Sequence, residues 1–167
     1  MASKASYDLT SVKDAETCGI RHIGIGTCSS GKMREYLRKK GFSGSIINEA
    51  VDNLIRREYI DDERAGRKVL LNRSGRKQES KSYLRQRLYA AGVSSAVVDV
   101  LISEVADDVD LCFNLYLSIA PAADPESEDP SFMNELLKTA AKRGFNPEVS
   151  RLAYRKYLEK VINDKQK

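Results

Sequence analysis

Leu37-Arg38-Lys39-Lys40-Gly41-Phe42, Leu88-Tyr89-Ala90-Ala91-Gly92-Val93 and Ala140-Ala141-Lys142-Arg143-Gly144-Phe145 are three versions of one phrase, set 51 and 52 residues apart. Each has an apolar residue four positions before a glycine and another directly after it. Working outward, Met33, Leu84 and Leu136 stand eight before the glycine, and Ile46, Val97 and Val149 five after it. Ala50, Leu101 and Ala153 follow at nine, then Val51, Ile102 and Tyr154 at ten. Steps of four and five residues keep such side chains on one helical stripe. Self-similarity at a period near fifty residues marks a repeat architecture.

The unit is helix, glycine stop, helix. Each glycine sits where a helix C-cap needs a left-handed backbone, and the apolar residue after it can fold back on the last turn. Ser43, Ser94 and Asn146, two positions after the glycines, are natural N-caps, and Pro147 falls at the favoured first helical position. A further helix precedes the pair. Asp61-Asp62 and Asp107-Asp108 place negative charge at its start in two copies. Ala65, Val69 and Leu70 give it an apolar stripe in one; Cys112, Leu115, Tyr116 and Ile119 do so in the other. In the first copy the matching stretch, Asp14 to Ile25, holds Gly19 and Gly24, each costing a helix about 0.5–1 kcal/mol. Ala120-Pro121 ends a helix, and Ala122 to Pro130 reads as an acidic loop.

The fold predicted is therefore all-α: an elongated array of three tandem three-helix repeats whose neighbours cover each other's apolar faces. The expected boundaries are a flexible N-terminal tail over 1–13, repeats over 14–60, 61–106 and 107–162, and a C-terminal tail over 163–167.

Of the 167 residues 41% are hydrophobic and 31% charged, a balance suited to amphipathic helices with solvated faces. No apolar run is long enough to span a membrane and no secretory signal is visible, which predicts a soluble, cytoplasmic protein. Cys18, Cys28 and Cys112 are odd in number and widely spaced, so neither a disulfide framework nor a zinc motif is expected. With His22 the only histidine and no nucleophile beside a recognisable base, no catalytic residue, metal or cofactor is predicted.

Charge divides along the chain. Between Lys32 and Gly92 there are 16 basic and 8 acidic residues; between Val93 and Glu135, none and 10; from Leu136 onward, 9 and 3. Solvated helix faces would account for single runs. A whole segment without Lys or Arg instead suits a partner that is itself charge-patterned, such as a protein filament carrying nucleic acid. Residues that share helices with the apolar stripe but point elsewhere are candidate contacts: Arg34, Arg38, Lys39, Arg64, Arg67, Lys68, Arg85 and Arg87.

Gly26-Thr27-Cys28-Ser29-Ser30-Gly31-Lys32 matches the first seven positions of the phosphate-binding loop GxxxxGK[ST]. The eighth is Met33, whose thioether is a poor ligand for magnesium and which already belongs to the apolar stripe. Ser29 or Ser30 reads better as the cap of a helix beginning near Gly31.

Three stretches carry a family resemblance. Ser29 through Phe42 resembles the opening of the RecX family of recombination regulators. Leu54-Ile55-Arg56-Arg57-Glu58-Tyr59-Ile60-Asp61-Asp62-Glu63-Arg64 is similar to that family's leucine helix leading into Asp-Asp-x-Arg, and Tyr83 to Val93 to its second-repeat helix. Ala65-Gly66 departs from the aromatic-alanine pair usual there. The resemblance implies three three-helix repeats and a non-enzymatic, monomeric protein. It also implies a role: binding the RecA recombinase filament, lying along its groove and restraining its ATPase, strand-exchange and co-protease activities, with single- or double-stranded DNA as a further partner. The competing readings are a helical-repeat DNA-binding protein acting through phosphate contacts and, behind it, a nucleotide hydrolase built on Lys32.

Overall fold

The computed structural model describes residues 7–121 and 130–165. Among them lie nine α-helices, one short 3-10 turn and no strand. In chain order they are α1 (Val12–Ile23), α2 (Ser30–Lys39), α3 (Gly44–Arg56), α4 (Asp62–Leu71), the turn Gly75–Lys77, α5 (Lys81–Ala90), α6 (Ser95–Glu104), α7 (Asp108–Ile119), α8 (Pro130–Lys142) and α9 (Pro147–Lys165). The all-helical prediction holds. The greater part of the expected acidic loop, 122–129, lies outside the described residues, as do 1–6 and 166–167 of the expected tails; Pro130 opens α8 and α9 continues to Lys165.

All three glycine stops form as the repeat requires. Gly41, Gly92 and Gly144 have φ of 98°, 76° and 85°. At each, the glycine N–H donates to the carbonyl three residues back and the following residue's N–H to the carbonyl five back: Phe42 to Leu37 (3.3 Å), Val93 to Leu88 (3.1 Å) and Phe145 to Ala140 (3.1 Å). This pair of bonds is a Schellman motif, and it satisfies carbonyls that a helix end otherwise leaves orphaned. The C-terminus of α3 repeats the pattern without a glycine. Glu58 takes φ 60° there, with Glu58 N–H on Ile55 O and Tyr59 N–H on Leu54 O, both 2.9 Å.

Contacts divide the chain into two compact units, one of residues 1–68 with 88–99, the other of 69–87 with 100–167. The stretch expected as the second repeat, 61–106, is thus shared between them. In the first unit α1, α2 and α3 enclose a core of Ala15, Cys18, Met33, Leu37, Phe42, Ile47, Ala50, Val51, Leu54 and Ile60. In the second, α7, α8 and α9 pack together, with Leu111, Cys112, Leu115, Tyr116, Leu136, Ala140, Phe145, Ala153 and Tyr157 buried. The Tyr116 hydroxyl donates to Ser150 O (3.3 Å) and that of Tyr157 to Ala120 O (2.7 Å), so both phenols are buried with their polar ends satisfied.

Three details differ from the sequence reading. The fully buried residue after each glycine is the sixth, not the fifth: Ile47, Val98 and Ser150, with Ile46, Val97 and Val149 half-buried. Counting from Ile47, Ala50, Val51 and Leu54 follow at three, four and seven, the true period of a helix face. The first helix lies two residues earlier than expected, because Ser11 caps it by accepting from Asp14 N–H (3.2 Å) and Gly24 ends it. Its Gly19 permits close packing: a Cβ there would come within 3.0 Å of Leu54 Cδ1 and 3.1 Å of Met33 Sδ. On α4 the buried position is Gly66, with Ala65, Val69 and Leu70 only half-buried.

Candidate partner-binding surface

The helix starts are organised by two pairs of aspartates that divide their work. Asp61 and Asp107 cap their own helices, accepting from Arg64 N–H (2.8 Å) and Asp110 N–H (2.9 Å). The second of each pair reaches back along the chain. Asp62 accepts from Ser30 N–H (2.6 Å), Ser30 Oγ (2.7 Å) and Ser94 N–H (2.9 Å), and Asp108 from Lys81 N–H (2.7 Å), so each holds the first turn of an earlier helix, α2 or α5. Burial works against charge on Asp62, but the bonds from Ser30 and Ser94 outweigh it and the carboxyl titrates below its ordinary range. Reading the acidic pairs only as helix-dipole partners missed this role. The signal available was that Asp62 and Asp108 recur as Ser30 and Lys81 do, about one repeat apart.

The same first turn settles the phosphate-loop resemblance. Ser30 N–H is held by Asp62, Gly31 N–H by Gly92 O (2.8 Å) and Lys32 N–H by Ser29 Oγ (3.3 Å), so the amides that would cradle a phosphate are already bonded within the protein. Lys32 itself pairs with Glu35 at 3.2 Å on the surface. Among the described residues no group of three or more His, Cys, Asp or Glu could hold a metal ion, and no helix is long and apolar enough to cross a membrane.

Six of the eight candidate contacts fall in the first unit. On α2, Arg34 is partly exposed 3.6 Å from Asp52, Arg38 is exposed, and exposed Lys39 pairs with Glu35 (2.8 Å). Lys39 and then Lys32 hold the Glu35 carboxyl below its ordinary range. On α4, Arg64 and Lys68 are exposed, and Arg67 bonds Glu63 through Nε (3.0 Å) and a terminal nitrogen (2.8 Å). Exposed pairs of this kind contribute little to stability and yield readily to a partner. Arg34 and Arg64 come together on a groove of about 680 Å³, whose wall also includes Ser30, Asp62, Glu58 and the exposed Ile55.

The other two lie in the second unit. Arg85 is exposed on α5. Arg87 makes a bidentate pair with Glu79 (3.1 and 2.9 Å), which raises the guanidinium pKa further. Glu79 has a side chain only 3% exposed, and Arg73 approaches it at 3.8 Å. Arg87 thus has a structural duty that its sequence position does not advertise.

No protein-family model matches the chain. Among curated proteins it is 25% identical over 137 residues to the regulatory protein RecX of Chlorobium limicola, covering 81% of this chain and 84% of that one. To the RecX of Pelodictyon phaeoclathratiforme it is 30% identical over 98 residues, covering 59% and 61%. Among solved structures it resembles the crystal structure of RecX from Lactobacillus salivarius with TM-score 0.66 at 13% identity, over 87% of this chain and 96% of the other, a likeness of fold. A second crystal structure of a regulatory protein RecX matches at TM-score 0.64.

Proposed function

Since the chain belongs to the RecX family of regulatory proteins, non-enzymatic and all-helical, we propose that it binds the RecA recombinase filament, lies along its groove and restrains its ATPase, strand-exchange and co-protease activities. The observation that carries this reading is the solvent-facing basic set on α2 and α4, with Arg34 and Arg64 meeting on one groove beside exposed Ile55. Alternating charge along the chain supports it further: a filament offers acidic protein and phosphate together, and complementary potentials set register and speed of encounter. Such a partner places the protein in the cytoplasm, acting as a monomer with RecA-coated DNA.

The test replaces Arg34, Arg38, Arg64 and Arg67 together by alanine. Inhibition of RecA-dependent ATP hydrolysis should fall at least tenfold while far-ultraviolet circular dichroism stays unchanged. Unaltered inhibition removes this face from the contact. Equal affinity for bare single-stranded DNA and RecA-coated DNA, with the steep salt dependence of phosphate binding, would replace the regulator by a DNA-binding array.

A further inference from the structure

The third copy departs from the other two on one face. Seven and three positions before the cap glycine stand Arg34 and Arg38 in the first copy and Arg85 and Tyr89 in the second, but Leu137 and Ala141 in the third. Six positions after it, the buried aliphatics Ile47 and Val98 are matched by Ser150. Long or branched side chains thus give way to shorter, uncharged ones on α8 and at the start of α9. The result is a slot of about 280 Å³ lined by Leu137, Ala141, Phe145 and Pro147, with Lys138 and Arg151 also in its wall. That is close to the lower bound of about 300 Å³ for ligand pockets and suits one bulky side chain. Neither Lys138 nor Arg151 has an acidic partner among the described residues. Both lie in the stretch from Leu136 onward, with 9 basic and 3 acidic residues.

An apolar slot whose two cations have no acidic partner among the described residues selects its occupant. A nucleic acid backbone would engage the cations and leave the apolar wall without a use, whereas a peptide combining one apolar side chain with carboxylates engages both. The geometry points to a docking slot in the third copy for an aliphatic or aromatic side chain carried on an acidic segment of a partner protein. The slot uses residues other than the basic face assigned to the filament, and its test needs no RecA.

The probe is a fluorescein-labelled peptide with one phenylalanine flanked on each side by three acidic residues, titrated with the full chain and followed by anisotropy. Replacing its phenylalanine by serine should weaken binding about tenfold or more, as expected for losing one buried apolar side chain. Ala141→Tyr, which installs the second copy's residue at an exposed position, should close the slot at constant charge and cost a similar factor. Lys138→Glu with Arg151→Glu should abolish binding while circular dichroism stays unchanged. Equal binding of the serine peptide, or an affinity untouched by Ala141→Tyr, overturns the proposal. So does an oligothymidylate that binds through Lys138 and Arg151 where the peptide does not.

Discussion

Asp62→Ala removes the acceptor for three donors at once: Ser30 N–H at 2.6 Å, Ser30 Oγ at 2.7 Å and Ser94 N–H at 2.9 Å. The site is only part-buried, so water can repair some of the loss, and about 1 kcal/mol per bond is the appropriate scale. The sum, about 3 kcal/mol, is a large fraction of the roughly 5–15 kcal/mol that separates folded from unfolded domains. For a chain of this length it corresponds to a fall in Tm of about 6–12 °C by differential scanning calorimetry. Asp61→Ala is the internal control, since the neighbouring carboxylate makes one exposed cap bond and should cost about 1 kcal/mol. The acid limb adds a second signature. Because the folded-state pKa of Asp62 lies below the ordinary aspartate value, its contribution is complete well above that ordinary value and is lost as pH falls through the lower, folded-state value. The gap in Tm between wild type and Asp62→Ala should therefore narrow below pH 4. Equal Tm changes for the two aspartates, or a gap that stays constant with pH, would refute the assignment of Asp62 as the tie between helix starts.

Three other outcomes are expected. Glu58→Gly should raise stability by about 1 kcal/mol in urea titrations, because a non-glycine residue is held at φ 60°. Gly92→Ala should cost about 3 kcal/mol and Gly41→Ala about 1 by the same measurement: both have positive φ, but an added Cβ at Gly92 would lie 2.7 Å from Lys32 N, whereas at Gly41 it would meet only Leu9, at 3.4 Å. Arg87→Ala should lower the urea midpoint by leaving the buried Glu79 carboxylate with the distant Arg73 alone, and Arg87→Ala with Glu79→Gln should recover most of the loss; equal losses for the single and double variants would show that the pair is not coupled.

What was legible in the sequence was local. A left-handed C-cap demands glycine, a helix face demands apolar residues at fixed steps, and Asn146-Pro147 marks a start, so stops, starts and most of the core could be read from a single window. The misplacement of Ile46 for Ile47 arose where the stripe crosses a turn, because helical phase is reset by the break and only residues beyond it define the new face. The tie made by Asp62 spans 32 residues to Ser30, and the burial of Glu79 depends on packing within the second unit; no pattern within one helix encodes either. Arg87 illustrates the cost to the site: a basic residue on a solvated helix reads the same whether it awaits a partner or already holds a buried carboxylate. Leu137, Ala141 and Ser150 were visible as departures from the repeat, but that they open one slot depends on how α8 meets α9.

The seating of Gly92 on the first turn of α2 gives the series of copies a polarity. Each later stop glycine leans on the capping serine of the copy before it: Gly92 on Ser29, Gly144 on Ser80. At the matching position the third copy has Phe132, inside a helix that begins at Pro130 and is three residues longer than α2 or α5. A fourth copy joined after the third would find no serine on which to rest its glycine. The first and second copies each offer the next one a serine seat and the third copy offers none, so this contact runs in one direction along the series.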